Sequence, residues 1–262
     1  MRGFEKRRPV AVPGSIPDVL DMFRSEVRFY REIAPIIGVR VPACYRAEDN
    51  AEGTLLVLED LSTWTPGADP IDFATLLADM HARWHGATAR WPWLRPVGAA
   101  ADLVGTLYDE VWPAIAVHPV LSPRVREVGA RLLGHAARAE STVNAAVPLT
   151  LCHGDASYRN ARTRPDGQIA LLDWEDVTAA PGVTDLAWLL TSSVPPERWG
   201  ETITAYGDPD DLDAALPACI VQGLLSLNDI IADGDATADG DGDSAAAWGQ
   251  RLDAAVSRLQ RD

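Results

Sequence analysis

The sequence predicts an α+β fold in which a small, partly stranded region precedes a larger and mostly helical one. Three apolar runs, at 54–58, 151–152 and 169–172, are short and bounded by polar residues, as is typical of strands. Longer stretches, such as 69–84, repeat apolar residues every three or four positions, which indicates amphipathic helices. We place the boundary between the two regions after residue 61, so that they comprise residues 1–61 and 62–262.

One helix is predicted in the smaller region, from Ser15 to about Ile33, because Ser15, Pro17 and Asp18 form a helix start. Its apolar stripe consists of Val19, Phe23, Val27 and Tyr30. Glu26 lies on the flank of this stripe, so its carboxylate needs a partner. Lys6, the only lysine of the chain, or an arginine could supply the positive charge.

The larger region is predicted to be helical over most of its length. Pro70 follows a start signal at Asp69, and the pattern from 101 to 146 has an interruption at Pro113 and a fresh start at Ser122. Further helices are predicted at 195–206, 212–231 and 244–259. His81 and His85 have the spacing of zinc ligands, but a core histidine and a surface histidine are the favoured interpretation. Four aromatic residues could line a pocket or pack in the core, which we favour: Trp91, Trp93, Tyr108 and Trp112.

Composition and charge restrict the class of partner. The net charge of −15 argues against nucleic acid, and it suits a cationic ligand as well as it suits solubility. We find no apolar run of the roughly 20 residues that span a bilayer, and the first ten residues are too charged for a secretory signal, so we expect a cytoplasmic protein. The three cysteines are distant in sequence, which argues against disulfides; Cys152 is predicted to end a buried strand. The Asp-rich segment 233–243 lacks the Gly and Glu of a calcium loop and is predicted to be a linker.

Polar residues follow two of the predicted strands at the point where each strand ends. His153, Gly154 and Asp155 follow the first of these strands, and Asn160 comes five residues after Asp155. Asp173 ends the second, at 169–172. Polar side chains at strand ends have a fixed backbone and remain accessible, so we expect the chemistry of this protein to lie between 151 and 190.

Three motifs in this stretch resemble the aminoglycoside phosphotransferase and choline or ecdysteroid kinase-like superfamily, whose members are relatives of the protein kinases. H-G-D-x-x-x-x-N runs from His153 to Asn160 and is similar to the kinase catalytic loop. D-W-E begins at Asp173, where kinases have D-F-G, and G-x-x-D-L-A begins at Gly182. The resemblance implies a protein-kinase-like fold with a small N-lobe, a mostly helical C-lobe, and ATP and Mg²⁺ as cofactors.

The resemblance also implies a role for each residue of the site. Asp155 would be the catalytic residue that orients the acceptor hydroxyl, and His153, assigned to the same catalytic set, would brace its loop. Asn160 and Asp173 would hold magnesium, with Glu175 as a further metal contact. The remaining roles are phosphate binding by Lys6 paired with Glu26, adenine binding by the hinge Glu59 to Leu61, and anchoring of the catalytic loop by Asp185.

The sequence departs from the family at its beginning, because Lys6 leaves no room for the first strands and the glycine-rich phosphate loop. A misplaced start, an enzyme with an abbreviated N-lobe and a loss of nucleotide binding all remain open. Because Asp155, Asn160 and Asp173 are all present, we expect an ATP-dependent phosphotransferase acting on a hydroxyl of an antibiotic or other specialised metabolite. The alternative is an inactive kinase-fold protein that sequesters a small molecule in drug self-resistance. A small molecule is the expected partner in both cases, a homodimer is left open, and neither nucleic acid nor a membrane is expected.

Overall fold

A three-stranded antiparallel sheet forms the start of the computed structural model, which describes residues 3–142, 149–232 and 244–260. The strands are β1 (Gly3–Pro9), β2 (Cys44–Asn50) and β3 (Gly53–Glu59), and β3 lies in the centre. The sequence pattern reveals only β3. The edge strands β1 and β2 carry mostly charged side chains and have little apolar alternation, so the prediction of a single strand in this region is wrong. Lys6 accordingly lies within a strand, opposite Leu56.

The single helix predicted from Ser15 is divided in two. Helix α1 (Ile16–Val19) and helix α2 (Met22–Arg28) are separated at Asp21, which adopts a left-handed backbone with φ of 47°. A π-helical turn, Phe29–Ile33, follows α2. The break has a tertiary cause that the sequence does not display, since the carbonyl of Leu20 accepts a hydrogen bond of 3.0 Å from Arg95 in the larger region. Of the predicted apolar stripe, Val27 and Tyr30 are buried, Phe23 is half-buried and Val19 is exposed.

Eight α-helices pack together in the described part of the larger region. They are α3 (Pro70–Trp84), α4 (Ala101–Ile115), α5 (Pro123–Leu132), α6 (Ala136–Thr142), α7 (Val183–Ser192), α8 (Trp199–Tyr206), α9 (Leu212–Ala232) and α10 (Ala245–Leu259). The side chain of Asp69 caps α3 by accepting from the Ile71 amide at 2.9 Å, and Ser122 caps α5 from the Val125 amide at 3.2 Å. Pro113 does not interrupt α4, which continues past it to Ile115, although the proline supplies no N–H for a helical hydrogen bond.

Helix α9 corrects the expectation that no segment is apolar enough to cross a membrane. It has 21 residues and a mean hydropathy of 1.5 over its most apolar window, and half of that window is buried within the protein. Its buried residues include Leu216, Ile220 and Leu224, and it packs against α7 and α10. This is the packing of a core helix, and the high hydropathy reflects burial on several sides.

Short strands within the larger region bring the polar loops together. Strand β5 (Thr150–Cys152) pairs with β8 (Thr178–Ala180), and β6 (Ala161–Thr163) pairs with both β7 (Ile169–Leu171) and β4 (Thr65–Pro66). The loops that leave β5 and β7 are therefore neighbours. Leu171 also donates to the carbonyl of Arg40 at 2.9 Å, which connects this hairpin to the smaller region.

Several sequence predictions concern the core or lie outside the described residues. Trp91, Tyr108 and Trp112 are buried in the hydrophobic core, and Trp93 is half-buried with its indole N–H donating to Glu32. Cys152 is buried at the end of β5, as predicted. The predicted linker at 233–243 and the last residues of the 101–146 helical pattern lie outside the described residues.

Candidate active site

The loop that follows β5 is anchored by one buried carboxylate. Asp185, near the start of α7, is 1 % exposed. Its two oxygens accept from the backbone amides of His153 at 2.7 Å and Gly154 at 2.9 Å, and also from His81 Nε2 at 3.0 Å. Burial opposes ionisation, but the hydrogen bonds from His81 and the loop hold the pKa of Asp185 below its ordinary value. The backbone hydrogen bonds that the sequence predicts for Asp185 are therefore present.

Gly154 is required by the close approach of two loops. Its φ is +87°, and a Cβ atom at this position would stand 2.0 Å from the carbonyl oxygen of Asp176. The absence of a side chain thus allows the Asp155 loop to lie against the loop that carries Asp173.

His153 positions the loop and has no ring nitrogen left for a substrate. Its Nε2 contacts the carbonyl of Leu172 at 2.8 Å and must donate there, while Nδ1 accepts from the Asp155 amide at 3.2 Å. The ring also packs on Trp174 with 4.4 Å between centroids. His153 therefore has a positioning role and is not a catalytic residue, because both of its ring nitrogens are engaged and its side chain is fully buried.

The side chain of Asp155 accepts two hydrogen bonds that fix its orientation. Trp188 Nε1 donates to Oδ1 at 2.6 Å, and Asn160 Nδ2 donates to Oδ2 at 2.8 Å. In both contacts the carboxylate oxygens are the acceptors. Asp155 remains partly accessible on the wall of a cavity, where an acceptor hydroxyl can reach it.

Lys6 joins the two regions through three carboxylates. Its Nζ lies 2.7 Å from Glu26, 2.7 Å from Asp173 and 3.0 Å from Glu175. Burial works to lower the pKa of Lys6, but these three carboxylates outweigh it and raise that pKa. Burial raises the pKa of Glu26 to about 7 against the opposing effect of Lys6. The contact between Lys6 and Glu26 is the one that the sequence suggests.

The side-chain oxygens of Asn160 and Asp173 are candidate metal ligands, and the two residues are linked through one backbone hydrogen bond. The amide of Leu172 donates to the carbonyl of Asn160 at 2.8 Å, which places Asp173 beside Asn160. The NH₂ group of Asn160 is turned toward Asp155, so its Oδ1 points elsewhere and has no donor among the described residues. Asp173 has a left-handed backbone with φ of 57°, and its side chain is 38 % exposed. These two side chains offer the oxygen ligands that magnesium prefers.

The predicted hinge lies apart from this cluster. Glu59 is three residues beyond Leu56, the partner of Lys6, which is roughly 10 Å along the strand. Its side chain contacts Arg40 and accepts from the Ala43 amide at 3.0 Å. Leu61 is buried and its carbonyl accepts from the Trp64 amide. None of these contacts tests the adenine-binding role of the hinge, which stays a prediction.

The structure adds site residues that sequence reasoning does not identify. Arg8 follows Lys6 by two positions on β1 and therefore lies on the same face of the strand, where it contacts Glu175 at 3.2 Å. Its Nε is buried and has no hydrogen-bond partner within the part of the chain that the structure describes. Asp176 pairs with Arg95 at 3.0 Å, and burial raises its pKa to about 7 although 32 % of its side chain is exposed. The alternation of side chains between the two faces of β1 could have identified Arg8, which shares a face with Lys6. Asp176 and Trp188 are brought to the site by long-range packing, for which the sequence gives no local signal.

A cavity of about 350 Å³ opens beside Asp155. Its polar lining includes Asp155, Asp176, Arg95, Trp188 and Glu140. The largest shares of the remaining wall come from α9 and from the segment 96–100 that precedes α4. None of the four aromatic residues considered as pocket residues from the sequence lines this cavity; Trp188 does instead.

Comparison with solved structures shows the same fold in small-molecule phosphotransferases. Similar structures include aminoglycoside phosphotransferase APH(3'')-Id from Streptomyces rimosus, bound to ADP and streptomycin, with 20 % identity, a TM-score of 0.57, and coverage of 85 % of this chain and 86 % of that one. Spectinomycin phosphotransferase APH(9)-Ia, bound to ADP and spectinomycin, has 13 % identity, a TM-score of 0.56, and coverage of 98 % and 86 %. Choline kinase LicA from Streptococcus pneumoniae has 16 % identity, a TM-score of 0.52, and coverage of 92 % and 83 %. The α+β, protein-kinase-like fold predicted from the motifs is thereby confirmed.

Sequence comparison identifies the family directly. No curated protein sequence matches the chain. The family model described as "Phosphotransferase enzyme family" matches residues 14–217, which include Asp155, Asn160, Asp173 and Asp185 but not Lys6. The chain therefore belongs to this phosphotransferase enzyme family, within the aminoglycoside phosphotransferase and choline kinase-like superfamily that its motifs predict.

Proposed function

We propose that the protein transfers the γ-phosphoryl group of ATP to a hydroxyl group of a small molecule. The observation that carries this proposal is the position of Asp155. Its carboxylate is held by Asn160 and Trp188 on the wall of a cavity, and its loop lies against the loop that bears Asp173. A base, two candidate metal ligands and an acceptor cavity therefore occupy one place.

The candidate metal ligands described above fit a magnesium ion. Asn160 Oδ1 has no donor among the described residues, and Asp173 is exposed enough to exchange Lys6 for a metal. Magnesium bound with ATP would neutralise charge on the phosphate oxygens. Asn160 and Asp173 would hold it, and Glu175, which already contacts Lys6 and Arg8, would orient these two cations.

Two cations on β1 supply the positive charge on the phosphate side. Lys6 and Arg8 both project toward the Asp173 loop, and both contact Glu175. The unpartnered Nε of Arg8 is a buried donor that an anionic oxygen would satisfy. We infer that Arg8 supplements Lys6 in phosphate binding.

Asp155 acts on the acceptor. In the proposed transfer, the acceptor oxygen forms a bond to the γ-phosphorus as the bond from that phosphorus to the ADP oxygen breaks. The hydroxyl proton passes to Asp155, whose negative charge Asn160 and Trp188 stabilise by hydrogen bonding. His153 and Asp185 keep the loop in place and do not touch the reacting atoms.

The similar structures suggest the class of acceptor and the compartment. Two of them are phosphotransferases bound to streptomycin and to spectinomycin, and the third is a choline kinase. We propose an antibiotic or another specialised metabolite as the acceptor, with drug resistance as the biological role. A cytoplasmic location, where ATP is available, belongs to the same proposal.

The proposal is tested by titrating the protein with ATP by calorimetry, with magnesium and with EDTA. We expect saturable binding that requires magnesium and is lost in Asp173→Ala. Asp166→Ala is the matched control, because Asp166 is an exposed aspartate whose contacts, with Arg164 and with the backbone amide of Gln168, lie within its own turn. Absence of magnesium-dependent binding would contradict the kinase function, and tight binding of a metabolite without turnover would favour sequestration.

A further inference from the structure

We propose that Arg95 is a positioning residue of the phosphate side of the site, where it holds the loop that carries Asp173 against the helix that carries Glu26. This role rests on the proposed function in one respect, namely that Asp173 binds magnesium when ATP is present. The contacts that support the role belong to the protein alone and can be measured without nucleotide.

The backbone of Arg95 is fixed to the larger region. Its carbonyl accepts from the Ala179 amide at 2.8 Å and from the Thr178 hydroxyl at 2.8 Å. Both partners belong to β8, which pairs with β5, the strand that leads into the Asp155 loop. Although Arg95 lies between α3 and α4, outside any helix or strand, its side chain therefore starts from a rigid base.

The guanidinium group of Arg95 reaches two separate elements through its two terminal nitrogens. Nη1 donates to the carbonyl of Leu20 at 3.0 Å, where the chain turns from α1 into α2. Nη2 donates to the carbonyl of Glu175 at 3.2 Å and to Asp176 Oδ1 at 3.0 Å. We call these three contacts the Arg95 bridge. Arginine suits such a bridge, because its planar group holds several donors at fixed angles.

Both ends of the Arg95 bridge adjoin residues that the proposed function uses. Ser25 Oγ lies 3.5 Å from Nη1, and the next residue along α2 is Glu26, the partner of Lys6. At the other end, Glu175 belongs to the short turn that begins directly after Asp173. The Arg95 bridge therefore connects α2 to the Asp173 loop through atoms that do not include Lys6.

This second connection matters because the first one changes in the proposed function. Lys6 Nζ now joins Glu26 to Asp173, at 2.7 Å from each. When Asp173 exchanges Lys6 for magnesium, that connection is lost. The Arg95 bridge uses neither Lys6 nor the side chain of Asp173, so it is retained through the exchange and keeps the loop in place.

The backbone of Asp173 also needs support from its surroundings. Its φ of 57° is unfavourable for a residue with a side chain and persists only where neighbouring contacts hold it. Arg95 supplies such a contact two residues further on, at the carbonyl of Glu175. Phe29 and Trp174 stack between α2 and this turn, with 4.1 Å between ring centroids, but apolar packing has no fixed direction. Loss of Arg95 should therefore loosen the proposed metal ligand and leave the fold intact.

The first test measures the two connected elements without nucleotide. Hydrogen–deuterium exchange is followed in peptides that span 20–28 and 171–177, for the original protein, Arg95→Gln and Arg126→Gln. Arg126 is a matched control, because it is also half-buried and donates to two backbone carbonyls, those of Ala116 and His118. We expect exchange to become at least about tenfold faster in both peptides of Arg95→Gln alone. Unchanged exchange in either peptide would overturn the proposal.

The second test measures the magnesium requirement. At a fixed ATP concentration, calorimetry gives the free magnesium concentration at which ATP binding is half-maximal. We expect Arg95→Gln to raise this concentration by roughly tenfold and Arg126→Gln to leave it unchanged. Arg95→Lys should recover little, because one ammonium group cannot replace the two-sided guanidinium. An unchanged magnesium requirement in Arg95→Gln, or full recovery by lysine, would contradict a positioning role.

A milder variant covers the case in which Arg95→Gln does not fold. Asp176→Asn keeps the size of the partner side chain and removes its charge, so we expect faster exchange in 171–177 and a higher magnesium requirement, both by smaller factors. No change in either quantity would count against the Arg95 bridge. If the original protein does not bind ATP with magnesium, the proposed function fails, whereas the exchange measurement still decides whether Arg95 joins the two elements.

Discussion

At the scale of single residues, the site depends on which atoms are already engaged by the protein. His153 has both ring nitrogens engaged, one by the Asp155 amide of its own loop and the other by the carbonyl of Leu172. The oxygens of Asp185 accept from two backbone amides and from His81. Asp155 is different, because its carboxylate also faces a cavity. Residue types that look equivalent in the motif thus divide into those that build the loop and one that can meet a substrate.

Asp155→Asn should reduce kcat by at least about 100-fold, because a positioned general base contributes roughly that much or more. Affinity for magnesium and ATP should change little, since Asp155 is assigned to the acceptor. Steady-state kinetics and calorimetry on the same preparation measure both quantities. A parallel loss of nucleotide affinity would contradict this assignment and place Asp155 at the metal.

Arg8→Gln should weaken ATP binding by roughly tenfold, since it removes a charge-assisted hydrogen bond to phosphate. The matched control is Arg7→Gln. Arg7 lies on the opposite face of β1, is 66 % exposed and pairs with Glu5, so its substitution should leave ATP affinity unchanged. Equal effects of the two substitutions would indicate a general electrostatic contribution and contradict a specific phosphate contact.

At the scale of elements, the site depends on two loops that touch. The β5 and β7 loops lie so close that Gly154 has no room for a side chain against Asp176. Helix α7 holds the first loop through Asp185, and β1 holds the second through Lys6. Each loop is thus fixed by an element distant in sequence.

Gly154→Ala should destabilise the protein by at least about 2 kcal/mol and abolish most activity, because the new Cβ would meet a backbone oxygen at a positive φ. Gly167→Ala is the matched control. Gly167 has a similar φ of +88°, but nothing lies within 4 Å of its Cβ position. Urea unfolding of both variants separates the clash from backbone strain, and equal destabilisation would contradict the proposed loop contact.

At the scale of the whole molecule, several acids are buried in a strongly acidic chain. Burial raises the pKa of Glu26, of Glu140 and of Asp176 to about 7, although Gln222 and Arg95 oppose the effect at the last two. Asp176 is the most exposed of these, so solvent screening should make its contribution the smallest. A carboxyl whose folded pKa is raised keeps a proton that the unfolded chain has released.

The free energy of unfolding should therefore fall as the pH rises from about 5 to about 7. Over this interval the folded state binds more protons than the unfolded state, which gives the slope a negative sign. Thermal unfolding at constant ionic strength measures the trend, and Glu140→Gln should make it shallower. Stability that rises over this interval, or an unchanged slope in the variant, would show that these groups are ionised in the folded state.

The motifs were sufficient to predict the family, the protein-kinase-like fold and the neighbourhood of Asp155, Asn160, Asp173 and Asp185. All four lie in one continuous stretch, so their spacing is fixed by the chain itself. The start of α3 and the extent of α9 were also predictable, because caps and apolar periodicity are local signals.

Other features depend on contacts between distant segments and have no local signal. β1 and β2 are edge strands with mostly charged side chains, so the sequence lacks the apolar alternation that would predict them. The break at Asp21 accompanies a contact between Leu20 and Arg95, which are distant in sequence. In the sequence, Glu140 is one of several polar residues in a helical pattern. Its burial results from packing against α4 and α9, which the sequence does not display. The sequence by itself determined which polar residues follow the ends of β5 and β7, because these residues are close along the chain. Only the tertiary structure decided how the two loops meet and what lines the cavity beside Asp155, because long-range packing sets the shape of the cavity, its charge and the partners of its buried groups.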